Sequence, residues 1–166
     1  MAVYISTGQV GMQRIDQSDT TQNHPLGTIV RGVDSVNGEG EYIYLLGVAS
    51  TLVGSLVRWN ASTFQTTLLT NTANQAVPVA VAMSANGASS YGWYQIAGNA
   101  VLKKTAVTVT PTVPIYISAT AGRVKVVASA GLQILGARTA NLATVTSTTS
   151  TITVTLNRPH AQGQIT

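Results

Sequence analysis

From Leu26 onward the chain consists of short runs of β-branched and aromatic residues separated by turn-forming residues, and no stretch of about 11 residues carries a helical stripe. Such side chains suit a pleated, half-buried surface and lose rotamer freedom on a helix. The clearest run is the tail, where Ile152, Val154 and Leu156 alternate with Thr151, Thr153 and Thr155 in a strict period of two. Residues 28–31 and 41–46 flank an Asn37-Gly38 turn signal. Residues 55–59, 65–69 and 77–84 follow, then an expected turn at Asn86-Gly87 and a strand over 91–96. Residues 100–103, 107–109, 115–117, 123–127 and 134–138 complete the series before the tail. About ten strands at this spacing predict an all-β fold, a β-barrel or jelly-roll sandwich.

A weak internal repeat supports that reading. Leu56-Val57-Arg58-Trp59 leads through a second strand to a third that ends in Ser84-Ala85-Asn86. Ile115-Tyr116-Ile117-Ser118 leads the same way to Thr139-Ala140-Asn141. Two such units are expected to pack as halves of one barrel, the rival being chance likeness among Val-, Ala- and Thr-rich strands.

Residues 1–27 read as an extended N-terminal arm ahead of a body over 28–166. The stretch from Gln13 to Pro25 is polar, lacks periodicity and ends at a proline, which favours extended backbone before it. It is expected to be poorly ordered alone and to order on a partner, an ordinary surface loop being the alternative. Gln13, Arg14, Asp16 and Asp19 are its candidate partner contacts.

Charge narrows the function further. Charged residues make up 8% of the chain, against about 25% in an ordinary domain. All five acids (Asp16, Asp19, Asp34, Glu39, Glu41) precede Tyr42, beside only Arg14 and Arg31. The remaining seven bases have no carboxylate side chain in their own part of the chain. Partners of that part are expected to supply negative charge, from an acidic protein surface, the chain's own N-terminal segment or nucleic acid. Nucleic acid is set aside, because only Lys103 and Lys104 are adjacent and the other bases are scattered. No run approaches the ~20 apolar residues of a membrane helix. The start Met1-Ala2-Val3-Tyr4-Ile5 lacks the basic region of a signal peptide, so synthesis is expected in a cytoplasm.

Catalysis finds few candidates. Every side-chain carboxylate sits in the arm or the first hairpin, so the rest of the body offers none for general acid–base work. His24 and His160 lie near the two ends beside prolines and read as exposed. Without cysteine or nearby carboxylates they form no metal-ligand set. Gly38-Glu39-Gly40 is a turn and not a phosphate cradle, since no helix follows it. No catalytic, cofactor or metal residue is therefore assigned, and the chain is read as non-enzymatic.

Tyr91-Gly92-Trp93-Tyr94-Gln95-Ile96 is the most distinctive run. As a strand it puts Tyr91, Trp93 and Gln95 on one face and Tyr94 and Ile96 on the other. One face is expected to pack the core and the other to meet a neighbour or an adjacent loop. Tyr91 and Trp93 are the candidate partner contacts, with core packing the rival role for either ring.

Several runs resemble tailed-bacteriophage structural proteins of the capsid decoration, or cement, type. They are Leu26-Gly27-Thr28-Ile29-Val30-Arg31-Gly32-Val33-Asp34, Gly40-Glu41-Tyr42-Ile43-Tyr44-Leu45-Leu46-Gly47-Val48-Ala49-Ser50, Pro78-Val79-Ala80-Val81-Ala82-Met83-Ser84 and the aromatic run above. The likeness spans roughly residues 26–100. It implies a β-barrel or jelly-roll subunit, usually a homotrimer, on the outer surface of the virion with the phage major capsid protein as partner. No cofactor and no catalytic residue come with it. The implied role is mechanical, stabilising the assembled lattice against the pressure of packaged DNA. The alternative is a phage tail, fibre or head-spike component with a receptor- or glycan-binding face, whose marks would be longer repeats or an aromatic cluster with polar groups.

Overall fold

The computed structural model describes residues 14–164 and the backbone of Val3–Ile5. The described residues contain no helix, and so none long and apolar enough to cross a membrane. They form β1 (Val3–Ile5), β2 (Ser18–Asp19), β3 (Ile29–Asp34), β4 (Gly38–Leu46), β5 (Leu56–Trp59) and β6 (Thr66–Leu68). There follow β7 (Val79–Ala82), β8 (Tyr91–Lys103), β9 (Pro114–Ile117), β10 (Val124–Lys125), β11 (Gln133–Thr139) and β12 (Thr151–Ala161). All pair antiparallel, in the order β1-β3-β4-β8-β12-β11-β9-β10, with β2 and β7 also on β8 and β5 between β6 and β7. The all-β barrel-type fold expected from the strand runs is the fold observed.

β8 is the spine, and here the expectation of two separate strands is corrected. Residues 91–103 form one strand whose first half pairs with β4 and whose second half pairs with β12. The change of partner falls at Gly98, where φ is +90° and an added Cβ would lie 2.2 Å from the Glu39 carbonyl oxygen. Only glycine fits a positive φ and so close an approach. Residues 97–99, left between the two expected strands, are instead a bend within one strand.

The internal repeat is a repeat of topology. β5 lies between β6 and β7, as β9 lies between β10 and β11. β7 then pairs with β8 and β11 with β12, and β8 and β12 pair with each other. The free edges of the two units meet through Gly122, whose N–H donates to the Leu69 carbonyl (3.0 Å) and whose carbonyl accepts from the Leu56 N–H (2.9 Å). A bridge between Lys104 and Val124 adds to the closure.

Alternation sorts the side chains into three layers. Leu56, Val79, Val81, Leu102, Ile115, Ile134, Ile152 and Val154 fill the barrel core between the units. The opposite faces of β5 and β7 send Val57, Ala80 and Ala82 against Ile43, Leu45, Tyr94 and Ile96 of β4 and β8. Beyond β4 and β8, a third cluster of Tyr42, Tyr44 and Trp93 with Val30 is covered by Ile15.

Candidate interaction surface

The face of β4 and β8 turned away from the barrel is aromatic, and residues 14–27 are laid across it as a strap. Ile15 is fully buried, which is worth about 1.5–3 kcal/mol for a side chain of its kind. β2 pairs with the start of β8, Ser18 opposite Gly92 and Asp19 opposite Tyr91. Farther along, the His24 ring sits edge-on to Tyr44 at 5.1 Å and tilted to Trp93 at 5.3 Å. The Asn23 N–H donates to the Tyr44 hydroxyl at 3.3 Å, and Tyr91 stacks on Tyr44 at 6.3 Å. Burial pushes the Tyr44 phenol above its ordinary pKa.

Of the residues expected to touch a partner, Arg14, Asp16, Asp19, Tyr91 and Trp93 come together about this face, in different roles. Gln13 lies outside the described residues. Arg14 and Asp16 pair with each other at 2.6 Å on the exposed strap, a contact worth less than about 1 kcal/mol. Asp19 accepts from the Asn23 side-chain amide at 2.7 Å. Tyr91 is half-buried at the strap edge. Trp93 is fully buried, so in this fold its ring supports the strap from beneath and meets no solvent. The part of the expected arm over residues 14–27 lies on the body because Ile15 and His24 fit the aromatic face; neither signal is periodic. His24 is corrected from exposed to half-buried, with its Nε2 lacking a hydrogen-bond partner among the described residues, whereas His160 is exposed as expected.

The remaining charges separate into internal and outward sets. Asp34 is buried, and its Oδ1 accepts from the Val36 and Asn37 N–H groups at 2.7 and 2.8 Å, which caps the β3–β4 turn. Glu41 stands between Arg31 (3.6 Å) and Arg158 (3.0 Å) and ties β4 to both β3 and β12. Lys103 and Lys104, adjacent in sequence, point to opposite sides of their strand. Lys104 is almost wholly buried, its Nζ donating to the carbonyls of Val107 (2.8 Å), Thr146 (3.1 Å) and Thr105 (3.3 Å). Desolvation lowers its pKa. Among the described residues no three His, Asp or Glu side chains are grouped to hold a metal ion.

Two clefts adjoin these features. Beside the strap, a cavity of about 310 Å³ is lined by Asp16, Asp34, Asn37, Val53, Met83 and Val101. Val36, Leu52 and Val53 near it are 75%, 50% and 60% exposed, more than half-buried packing requires. The second, of about 380 Å³, is lined by Arg58, Trp59, Asn60, Thr63 and Gln65, with Trp59 stacked on Phe64 at 6.0 Å. Strand periodicity missed the first cleft. Its one visible signal is Leu52-Val53, two apolar residues in a loop between Thr51 and Gly54.

Compared with known proteins, the chain matches no family model, no curated protein and no solved structure.

Proposed function

We propose that this chain is a virion structural protein that binds the outer surface of a phage capsid as a decoration protein and stabilises the lattice of the major capsid protein. The observation that carries the reading is the segregation of charge on a rigid β body. Every carboxylate side chain precedes Tyr42, and at least three of the five are engaged internally: Asp34 in a turn, Glu41 between two guanidiniums and Asp16 with Arg14. The body beyond carries only bases, so a partner completes its electrostatics. The resemblance of residues 26–100 to decoration proteins supplies the identity of that partner. As a homotrimer the subunit presents each contact three times, and modest patches then act together at high effective concentration.

The test is sedimentation of the purified chain with assembled capsid shells and, separately, with unassembled capsid subunits. Preference for the shell is expected, together with a native mass of three chains. Equal or absent binding to both contradicts the proposal.

A second reading, a tail, fibre or head-spike component with a glycan-binding face, draws on the Trp59 cleft, which Trp59 lines together with Arg58, Asn60, Thr63 and Gln65. A glycan array with the wild type and Trp59→Ala separates the two. Saccharide binding lost on substitution favours this reading over the first.

A further inference from the structure

We propose that the outward face of the second half of β8 together with β12, β11, β9 and β10 is a docking surface for an acidic protein surface. The strand registers place its members. Lys103 lies opposite Thr151, Val101 opposite Thr153 and Asn99 opposite Thr155. Arg138 lies opposite both Thr155 and Pro114, and Tyr116 opposite both Gln133 and Lys125. Residues directly opposite in antiparallel strands share a face. The intervening residues Leu102, Ile152, Val154, Ile115 and Val124 are all in the barrel core, so this set points outward.

Three bases stand on this face and its own strands carry no acid, since no carboxylate side chain follows Glu41 in the chain; Asp16 and Asp34 reach only its Val101 corner, where Asp16 pairs with Arg14 and Asp34 caps the β3–β4 turn. Lys103 and Arg138 have no salt-bridge partner among the described residues, and Lys125 donates only to the Ser129 hydroxyl at 2.8 Å. Between the bases run the short side chains of Thr151, Thr153 and Thr155, which offer hydroxyls, that of Thr155 donating to the Asn99 side-chain oxygen at 2.8 Å. Val101 is 38% exposed beside them. A hydroxyl-lined surface with isolated positive charges complements a surface bearing carboxylates.

Two other occupants fit less well. A second copy brings the same net charge of +4, and its acids at Asp16, Asp34 and Glu41 are already engaged. Nucleic acid needs a denser row of bases with stacking rings, and this face has three bases and one ring, Tyr116. Size sets the mode of binding. Five strands about 4.8 Å apart and about 17 Å long cover roughly 400 Å², half of the roughly 800 Å² each partner gives to a stable interface. One copy binds weakly, and a repeated array on a lattice holds it. For the identity of the partner the inference rests on the capsid reading; the chemistry of the face does not.

The test compares Thr153→Glu, which adds one acid to the face, with Ser62→Glu, which adds one acid at an exposed turn elsewhere, and with the double variant Lys103→Glu/Arg138→Glu. Folding is checked by circular dichroism. The probes are assembled capsid shells, immobilised poly-L-glutamate and a single-stranded oligonucleotide. Weakening of shell and poly-glutamate binding by about tenfold or more in the face variants, with Ser62→Glu unchanged, is expected. If wild type and face variants bind shells equally, the face is wrong and the capsid reading stands. If wild type binds no shells but binds poly-glutamate through the face, the capsid reading is wrong and the face stands. Binding to neither removes both, and preference for the oligonucleotide overturns the assignment of a protein partner.

Discussion

The side-chain amide of Asn86 lies 3.1 Å from the phenolic oxygen of Tyr94, and both residues are fully buried. With the amide turned so that every group is paired, Asn86 donates to the Tyr91 carbonyl and accepts from the Gly92 N–H and the Tyr94 hydroxyl. Gly47 and Gly92 make room, since a Cβ on either would come within 2.6 Å of Asn86. Asn86→Ala strands these groups and is expected to cost about 2–3 kcal/mol. Each kcal/mol is worth roughly 2–4 °C in a chain of this size. A thermal melt unchanged within about 2 °C contradicts this account.

Gly98→Ala places a methyl group against the Glu39 carbonyl at a φ of +90°. A loss of about 3 kcal/mol or more is expected, felt where β8 passes from β4 to β12. Urea unfolding measures the loss, and hydrogen exchange across residues 38–46 shows whether it is centred there.

Ile15→Ala leaves a cavity under the strap and is expected to cost about 2–4 kcal/mol. Because residues 14–27 are held by few other buried groups, the effect is local release before global unfolding. Limited proteolysis should then cut near Gln22, and the fluorescence of Trp93 should move to the red. Protection equal to that of the wild type speaks against the strap.

Lys104 gives stability a pH dependence. Its folded pKa lies below the ordinary lysine value of about 10.4, so the folded state binds fewer protons than the unfolded chain. The cost of burying the ammonium is full below the folded pKa and is relieved as pH rises toward the ordinary value. Measured against Lys104→Met, the wild type should therefore gain stability between neutral pH and about pH 10. A constant difference in urea midpoint across that range rules the mechanism out.

Tyrosines act in the opposite sense. Desolvation, with the Asp34 charge adding to it, pushes Tyr42 up to about 12, and burial also raises Tyr44 and Tyr94. Their contribution is whole below about pH 10 and is lost as pH climbs through the folded values. Absorbance titration should show Tyr42, Tyr44 and Tyr94 ionising late, together with unfolding. Three late phenols without any loss of structure would refute the link.

Much of the fold was legible locally. The Thr151–Leu156 alternation reappears inside β12, the Asn37-Gly38 turn joins β3 to β4 with Gly38 at φ +79°, and the two faces of Tyr91–Ile96 separate as expected. The turn expected at Asn86-Gly87 lies just beyond it, running from Gly87 to Ser90, because the Asn86 amide is taken up in satisfying the buried start of β8. The candidate surface was legible only in part: Asp16, Asp19, Tyr91 and Trp93 fall on one face, but whether each is covered or open depends on the strap. The outward row from Lys103 to Lys125 was invisible, since its members come from five strands.

Side-chain alternation and turn chemistry act over two to four residues, so the sequence by itself determined that this chain makes strands, roughly where they lie, and that its acids end at Glu41. Which edge each strand finds, why Lys103 meets solvent while Lys104 is sealed among carbonyls, and how residues 14–27 come to rest on Tyr44 and Trp93 were decided by the tertiary structure. Those outcomes depend on contacts between distant parts of the chain, whose energies no local pattern encodes.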